Sequence, residues 1–206
     1  MNAFVVPALA GLLTGIGLIV AIGPQNVFVL QQGVRRVHVA SVVAVCAASD
    51  VVLITVGVAG LGALVSAHPA VVTVATYVGG GYVIILGVLA ARRCARSPMA
   101  IPANPEEATT ASRWVAISVA LALTWLNPHV YLDTVLTMGT IANSHGHGKW
   151  AFAIGACVAS VLWFTLLGAG GHRMAPLFAK PVAWRILDGV VAAIMIGMGT
   201  LLVVSA

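Results

Sequence analysis

Asp50 and Asp133 are acids within long apolar stretches, and no Lys or Arg lies in the interior of any such stretch. A carboxyl costs roughly 2.5–3.5 kcal/mol on insertion scales when it sits near the bilayer centre. Groups kept there at that cost usually face a cavity and mark a substrate, ion or proton path. Asp133 ends the run Leu126-Asn127-Pro128-His129-Val130-Tyr131-Leu132-Asp133. Pro128 removes a backbone donor and clashes with the turn before it, which predicts freed carbonyls at Thr124 and Trp125. Asn127 and His129 bring side-chain polarity to the same spot. His129 and Asp133 stand four apart on one helix face, so they pair if helix continues past Pro128. A second interruption, Gly23-Pro24-Gln25-Asn26, breaks the apolar run 3–30. Interrupted helices at matching places in two halves of a membrane protein point to a transporter's binding site.

Other chemistry is sparse. Glu106 and Glu107 fall in a Pro-rich linker, and Asp188 follows Arg185 by three residues, as an i,i+3 ion pair at a helix start would. His145 and His147 flank a glycine, a weak pattern for a metal. Cys46, Cys94 and Cys157 are scattered, with neither disulfide nor metal-ligand spacing. No Ser-His-Asp order, His-Glu-x-x-His or Gly-Lys-Thr phosphate cradle is present. The chain does not read as an enzyme, and no cofactor or resident metal is expected.

The elements that position Asp50 and Asp133 are membrane spans. Of 206 residues 61% are hydrophobic and 7% charged, with a mean hydropathy of +1.07. A soluble domain carries roughly 25% charged residues, so an all-α integral membrane protein in a lipid bilayer is expected. The net charge of +5 suggests no nucleic-acid partner, because the basic residues fall at segment ends. Crossing a ~30 Å hydrocarbon core takes about 20 residues. Six runs qualify, near 4–30, 38–66, 70–91, 114–141, 149–170 and 186–205. The N-terminal run lacks a basic n-region, so it reads as a retained span rather than a signal peptide. Asp50 lies twelve residues into the second run, about 18 Å along a helix and hence near midplane.

Three spans fall on each side of the 92–113 linker, giving halves 1–91 and 114–206. Odd-numbered loops hold Arg35, Arg36, Arg92, Arg93, Arg96, Arg113, Arg173, Lys180 and Arg185, and the even loops and termini hold only Lys149. The positive-inside rule puts the odd loops in the cytoplasm and both termini outside. An odd number of spans per half also inverts one half relative to the other, the inverted-repeat plan of many secondary transporters. Gly11/Gly15, Gly57/Gly60 and Gly189/Ala193/Gly197 form small-residue ridges that suit close packing within one protomer or between two, which leaves a homodimer open.

Three motifs carry a resemblance: Gly23-Pro24-Gln25-Asn26-Val27-Phe28-Val29-Leu30 with Gln32-Gly33-Val34-Arg35-Arg36, then Cys46-Ala47-Ala48-Ser49-Asp50, then Thr124-Trp125-Leu126-Asn127-Pro128-His129-Val130-Tyr131-Leu132-Asp133. In this order and size the chain resembles the bacterial lysine/arginine exporter family. The Gly-Pro motif alone would indicate only the wider superfamily, which includes exporters of homoserine, threonine and cadmium. The third motif narrows it to the basic amino-acid branch. What the resemblance implies is proton-motive-force-driven export of L-lysine, L-arginine or both across the bacterial cytoplasmic membrane.

The expected architecture is therefore six transmembrane helices in two inverted three-helix repeats, the first and fourth broken at Pro24 and Pro128. Gly23 shares the first break. The expected substrate-binding set is Asp50, Asp133, Asn26, Asn127, Gln25, His129 and Tyr131. Cationic substrate and proton would compete for the two carboxyls, while half-helix ends and the Asn26 and Asn127 amides hold the substrate's carboxylate. The alternatives are a divalent-metal exporter using Asp50, Asp133 and His129, an exporter of another amino acid, or a non-transporting scaffold in which Ser49 or a neighbouring helix holds Asp50.

Overall fold

Where a proline falls inside an apolar run, the helix ends and another begins, and this rule shapes the molecule. The computed structural model describes residues 2–20, 23–61, 69–95, 110–174 and 181–205. These form eight helices and no strand. Helix α1 (Asn2–Ile19) stops short of the first break, and α2 (Pro24–Arg35) starts on the proline itself, at 82° to α1. Next come α3 (Val39–Val56), which runs on as a π-helical turn over Gly57–Leu61, and α4 (Pro69–Ala95). Helix α5 (Thr110–Trp125) ends before the second break. Helix α6 covers 128–144: an α turn at Pro128–Val130, a π-helical stretch at Tyr131–Thr137 and an α-helical end at Met138–Ser144. A 3₁₀ turn leads into α7 (Lys149–Met174), and α8 (Pro181–Ser205) completes the order.

Helix α4 packs along α8, α1 and α2 pack on α7, and α3 lies against both α5 and α7. Glycine sets the closest of these approaches. A Cβ on Gly11 would run into the Phe152 carbonyl, and one on Gly155 into that of Ala8, so α1 and α7 meet backbone to backbone. The Gly11/Gly15 ridge thus serves packing within the chain. At the crossing of α3 and α6, a Cβ on Gly139 would lie 2.6 Å from the Gly57 oxygen.

Three buried clusters hold the helices together. Val27, Leu123 and Val191 belong to one, Val29, Cys46 and Phe164 to the second, and Ile54, Met138 and Phe152 to the third. Helices α2, α3, α5 and α7 each contribute to two of them. The outside is as apolar as the inside: Val204 is 80% exposed, Leu13 69% and Leu166 65%. A surface of that kind faces lipid. The chain is a multi-pass, all-helical membrane protein.

Among the described residues, Val39–Gly60, Gly146–Arg173 and Arg185–Val204 are long and apolar enough to cross a membrane, and the bent pair α1–α2 makes a fourth if it is counted as one broken span. Two further apolar helices, Thr76–Arg92 and Arg113–Trp125, are shorter. For the second of these the cause is Pro128: the run expected as one span near 114–141 is divided between α5 and α6. Most of the linker at 92–113 lies outside the described residues.

Candidate functional site

The two breaks line one cavity of about 150 Å³. Its first wall is the start of α2, with Gly23, Pro24, Gln25 and Asn26. The facing wall is the α5–α6 break, with Asn127, His129 and Asp133. Asp50 closes it from α3. A larger groove of about 450 Å³ lies over α3 and α7, but residues such as Trp150, Ile154 and Leu162 make it apolar and open. It lacks groups that could orient a polar solute, so the small polar cavity is the candidate site.

The two acids differ in setting. Asp50 is 5% exposed, and the Ser160 hydroxyl of α7 donates to its Oδ2 at 2.7 Å. Of the two holders considered for Asp50, Ser49 accepts instead from the Trp125 indole N–H at 3.1 Å, and the neighbouring helix α7 supplies the bond through Ser160. The Asp133 side chain is 39% exposed, and His129 Nδ1 lies 3.6 Å from its Oδ2. That i,i+4 contact is the pairing expected of helix continuing past Pro128, and it is too long for a hydrogen bond. One carboxyl is thus enclosed with a single hydroxyl partner, and the other is open with a histidine beside it.

Two carbonyls at the breaks, those of Ile19 and Trp125, are covered by side chains. Asn26 Nδ2 donates to the Ile19 carbonyl at 2.8 Å, closing the end of α1, and its Oδ1 accepts from the Trp163 indole at 3.3 Å. At the second break the Tyr131 hydroxyl donates to the Trp125 carbonyl at 2.8 Å. Asn127 Oδ1 accepts from the His129 backbone N–H at 3.1 Å, a cap on the first turn of α6. A bare carbonyl in apolar surroundings costs several kcal/mol, so side chains turn to cover it. Asn26, Asn127 and Tyr131 therefore stitch the breaks, and Tyr131 does not line the cavity. Gln25 is 9% exposed, with its amide nitrogen enclosed beside the Cys46 thiol of α3, a weak acceptor.

Some residues escaped the sequence reading. Ser160, Trp163 and Phe164 bring α7 to the site, and only the isolated hydroxyl of Ser160 at mid-helix could have signalled it. Asp188, expected in an i,i+3 pair with Arg185 at a helix start, is 7% exposed and accepts from Gln31 Nε2 at 3.4 Å, because α8 packs beside α2 there. In the turn before α7, one ring nitrogen of His145 bonds the Ile141 carbonyl at 2.8 Å. Among the described residues no three His, Cys, Asp or Glu side chains gather where a metal ion could be held.

Fold and site together define a multi-pass helical membrane transporter rather than an enzyme. The chain belongs to the LysE type translocator family, which it matches over residues 16–206. It is 45% identical over 187 residues to a Mycobacterium tuberculosis protein named as a candidate amino-acid transporter, covering 91% of this chain and 92% of that one. It is 36% identical over 220 residues to the lysine exporter LysE of Corynebacterium diphtheriae (93% and 96% covered). To the arginine exporter protein ArgO of Serratia proteamaculans it is 38% identical over 192 residues (92% of each). No solved structure matches.

Proposed function

We propose that the chain exports basic amino acids, L-lysine, L-arginine or both, across the bacterial cytoplasmic membrane in exchange for protons. The observation that carries this reading is Asp50, an enclosed carboxyl at the cavity formed by two helix breaks, with Ser160 as its one hydrogen-bond partner among the described residues. A lysine or arginine substrate brings two positive charges and one carboxylate. The cavity offers Asp50 and Asp133 and no Lys or Arg, the matching imbalance. Relatives named as lysine and arginine exporters, aligned over nine-tenths of the chain, support the same substrates.

A proton and the cationic end of the substrate compete for the same carboxylate. Export of the one and entry of the other then follow from alternate occupation of Asp50. A cavity of about 150 Å³ is smaller than the ~300–1,000 Å³ of usual small-molecule sites. Seating the substrate therefore parts the walls.

The architecture in this reading is six spans in two inverted repeats, 1–91 and 114–206, joined by 92–113, with both termini outside. Each Pro-broken pair then has its counterpart, α1–α2 with α5–α6. Contacts of α4 with α8 and of α3 with α7, each helix with its counterpart in the other half, support this plan. A divalent-metal cargo draws no support from the residues gathered at the site, and a scaffold gives no reason for an enclosed Asp50.

Efflux of labelled lysine and arginine from proteoliposomes, with and without an imposed pH gradient, tests the proposal. Export of at least one that accelerates when protons can flow inward is the expected result. Export indifferent to the gradient would remove the proton coupling, and no movement of either amino acid would remove the substrate class.

A further inference from the structure

Of the ten basic residues, Lys149 alone lies outside the odd loops, at the start of α7. Its Nζ is 5.7 Å from the centre of the Trp150 ring and 3.4 Å from Asn143 Oδ1. Among the described residues it meets no carboxylate. The Asn143 amide also donates to the Val58 carbonyl at 3.4 Å, which sets the end of α3 at the same level. Neither 57–61 nor 143–148 carries an acid. Lys149 is thus a cation without a counter-charge, resting on a tryptophan.

Trp150 is also the first residue of the apolar groove of about 450 Å³, which continues along α7 past Ile154 and Val158 to Leu162, with Thr55 of α3 on its other side. From Trp150 to Leu162 the helix rises about 18 Å. One leaflet, half of a ~30 Å hydrocarbon core, is about 15 Å deep. The groove therefore runs the depth of a leaflet, with an ammonium and an indole at one end and aliphatic side chains along the rest. A phospholipid presents its groups in the same order, phosphate first and acyl chain after it.

We infer that this groove seats an anionic phospholipid, one acyl chain along Ile154, Val158 and Leu162 and the headgroup phosphate at Lys149. A net negative headgroup answers Lys149, whereas a zwitterionic one brings its own cation. A second copy of the chain on this face would bring another Lys149 and no acid from 57–61 or 143–148, so charge favours the lipid. Such a seat is independent of what the cavity carries.

The test uses the full-length protein in phosphatidylcholine proteoliposomes, with a small fraction of phosphatidylglycerol or phosphatidylcholine carrying a photoreactive diazirine on one acyl chain. Mass spectrometry locates the label after illumination. Leu201 and Val204 of α8, exposed at 64% and 80%, serve as the reference for ordinary lipid contact. Relative to them, residues 150–162 should take about fivefold more label from phosphatidylglycerol than from phosphatidylcholine, the increment expected of one lysine near a membrane surface. Lys149→Gln should bring the two probes level, and Lys149→Arg should keep the preference. Ile154→Trp, which fills the groove, should lower labelling of this face by both. In wild type the preference should also shrink as salt is raised to about 1 M. Thermal unfolding establishes that each variant is folded, and if Lys149→Gln is not, the salt dependence decides. Equal labelling by the two probes in wild type would overturn the assignment, as would a preference that survives in folded Lys149→Gln or is indifferent to salt.

Discussion

A carboxyl that is 5% exposed, with one hydroxyl beside it, has a proton or a cationic cargo as its available counter-charge. Asp133 has His129 at 3.6 Å and partial exposure, so its charge is less dependent on the substrate. The two substitutions should therefore differ. Asp50→Asn keeps the shape and loses the charge, and efflux should fall by about a hundredfold or more, as when one partner of a buried charge pair is removed. Asp133→Asn should cost less, about tenfold or under. Equal loss in proteoliposome efflux, with both variants folded by thermal unfolding, would show that His129 does not hold Asp133. Ser160→Ala falls between them, because a hydrogen bond to a charged group contributes about 1.5–3 kcal/mol and the charge itself remains. A wild-type rate in that variant would reduce Ser160 to packing. Both acids were legible in the sequence because an ionised group in an apolar run is costly wherever the chain folds. Ser160 was not, since a helical hydroxyl can bond the carbonyl one turn back, as Thr55, Thr124 and Thr165 do here.

At the scale of elements, the same asymmetry separates what proline dictates from what packing decides. Pro24 and Pro128 announced both breaks, since a ring without an N–H ends one helix and starts the next. How the broken ends are satisfied depends on partners distant in sequence. The Trp163 indole reaches Asn26 across 137 positions, and the Trp125 indole reaches Ser49 across 76. The π-helical stretch Tyr131–Thr137 was equally hidden, because no composition marks it. It lies where the Gly57 backbone comes up against Thr134 and Val135. If Asn26 holds the first break together, Asn26→Leu strips partners from both the Ile19 carbonyl and the Trp163 N–H. Each orphan costs about 1–3 kcal/mol. At roughly 2–4 °C per kcal/mol for a chain of this size, the melting midpoint in detergent should drop by several degrees. An unchanged midpoint would mean that water or lipid satisfies both groups, and the stitch would then contribute nothing.

For the whole molecule, nine of ten basic residues fall on the odd loops, and the positive-inside rule predicts those loops in the cytoplasm. The contact between Asp50 and Ser160 agrees with that arrangement. Asp50 follows His38, at the start of α3, by twelve residues, and Ser160 follows Lys149, at the start of α7, by eleven. If the two helices enter from opposite faces, their rises of about 18 and 16 Å add to a layer of about 34 Å, close to a ~30 Å hydrocarbon core with its margins. Entry from one face would put no such constraint on thickness. Accessibility to a membrane-impermeant maleimide in intact cells settles the orientation, with Cys46, Cys94 and Cys157 first replaced. One reporter is Arg96→Cys, in the loop between the halves. The other is His147→Cys in the turn before α7, chosen over Gly146 because that glycine has a φ of +54° that a side chain would strain. Labelling at position 147 and protection at 96 until the cells are permeabilised is the expected pattern. The reverse pattern would turn the molecule over, with the cationic loops outside.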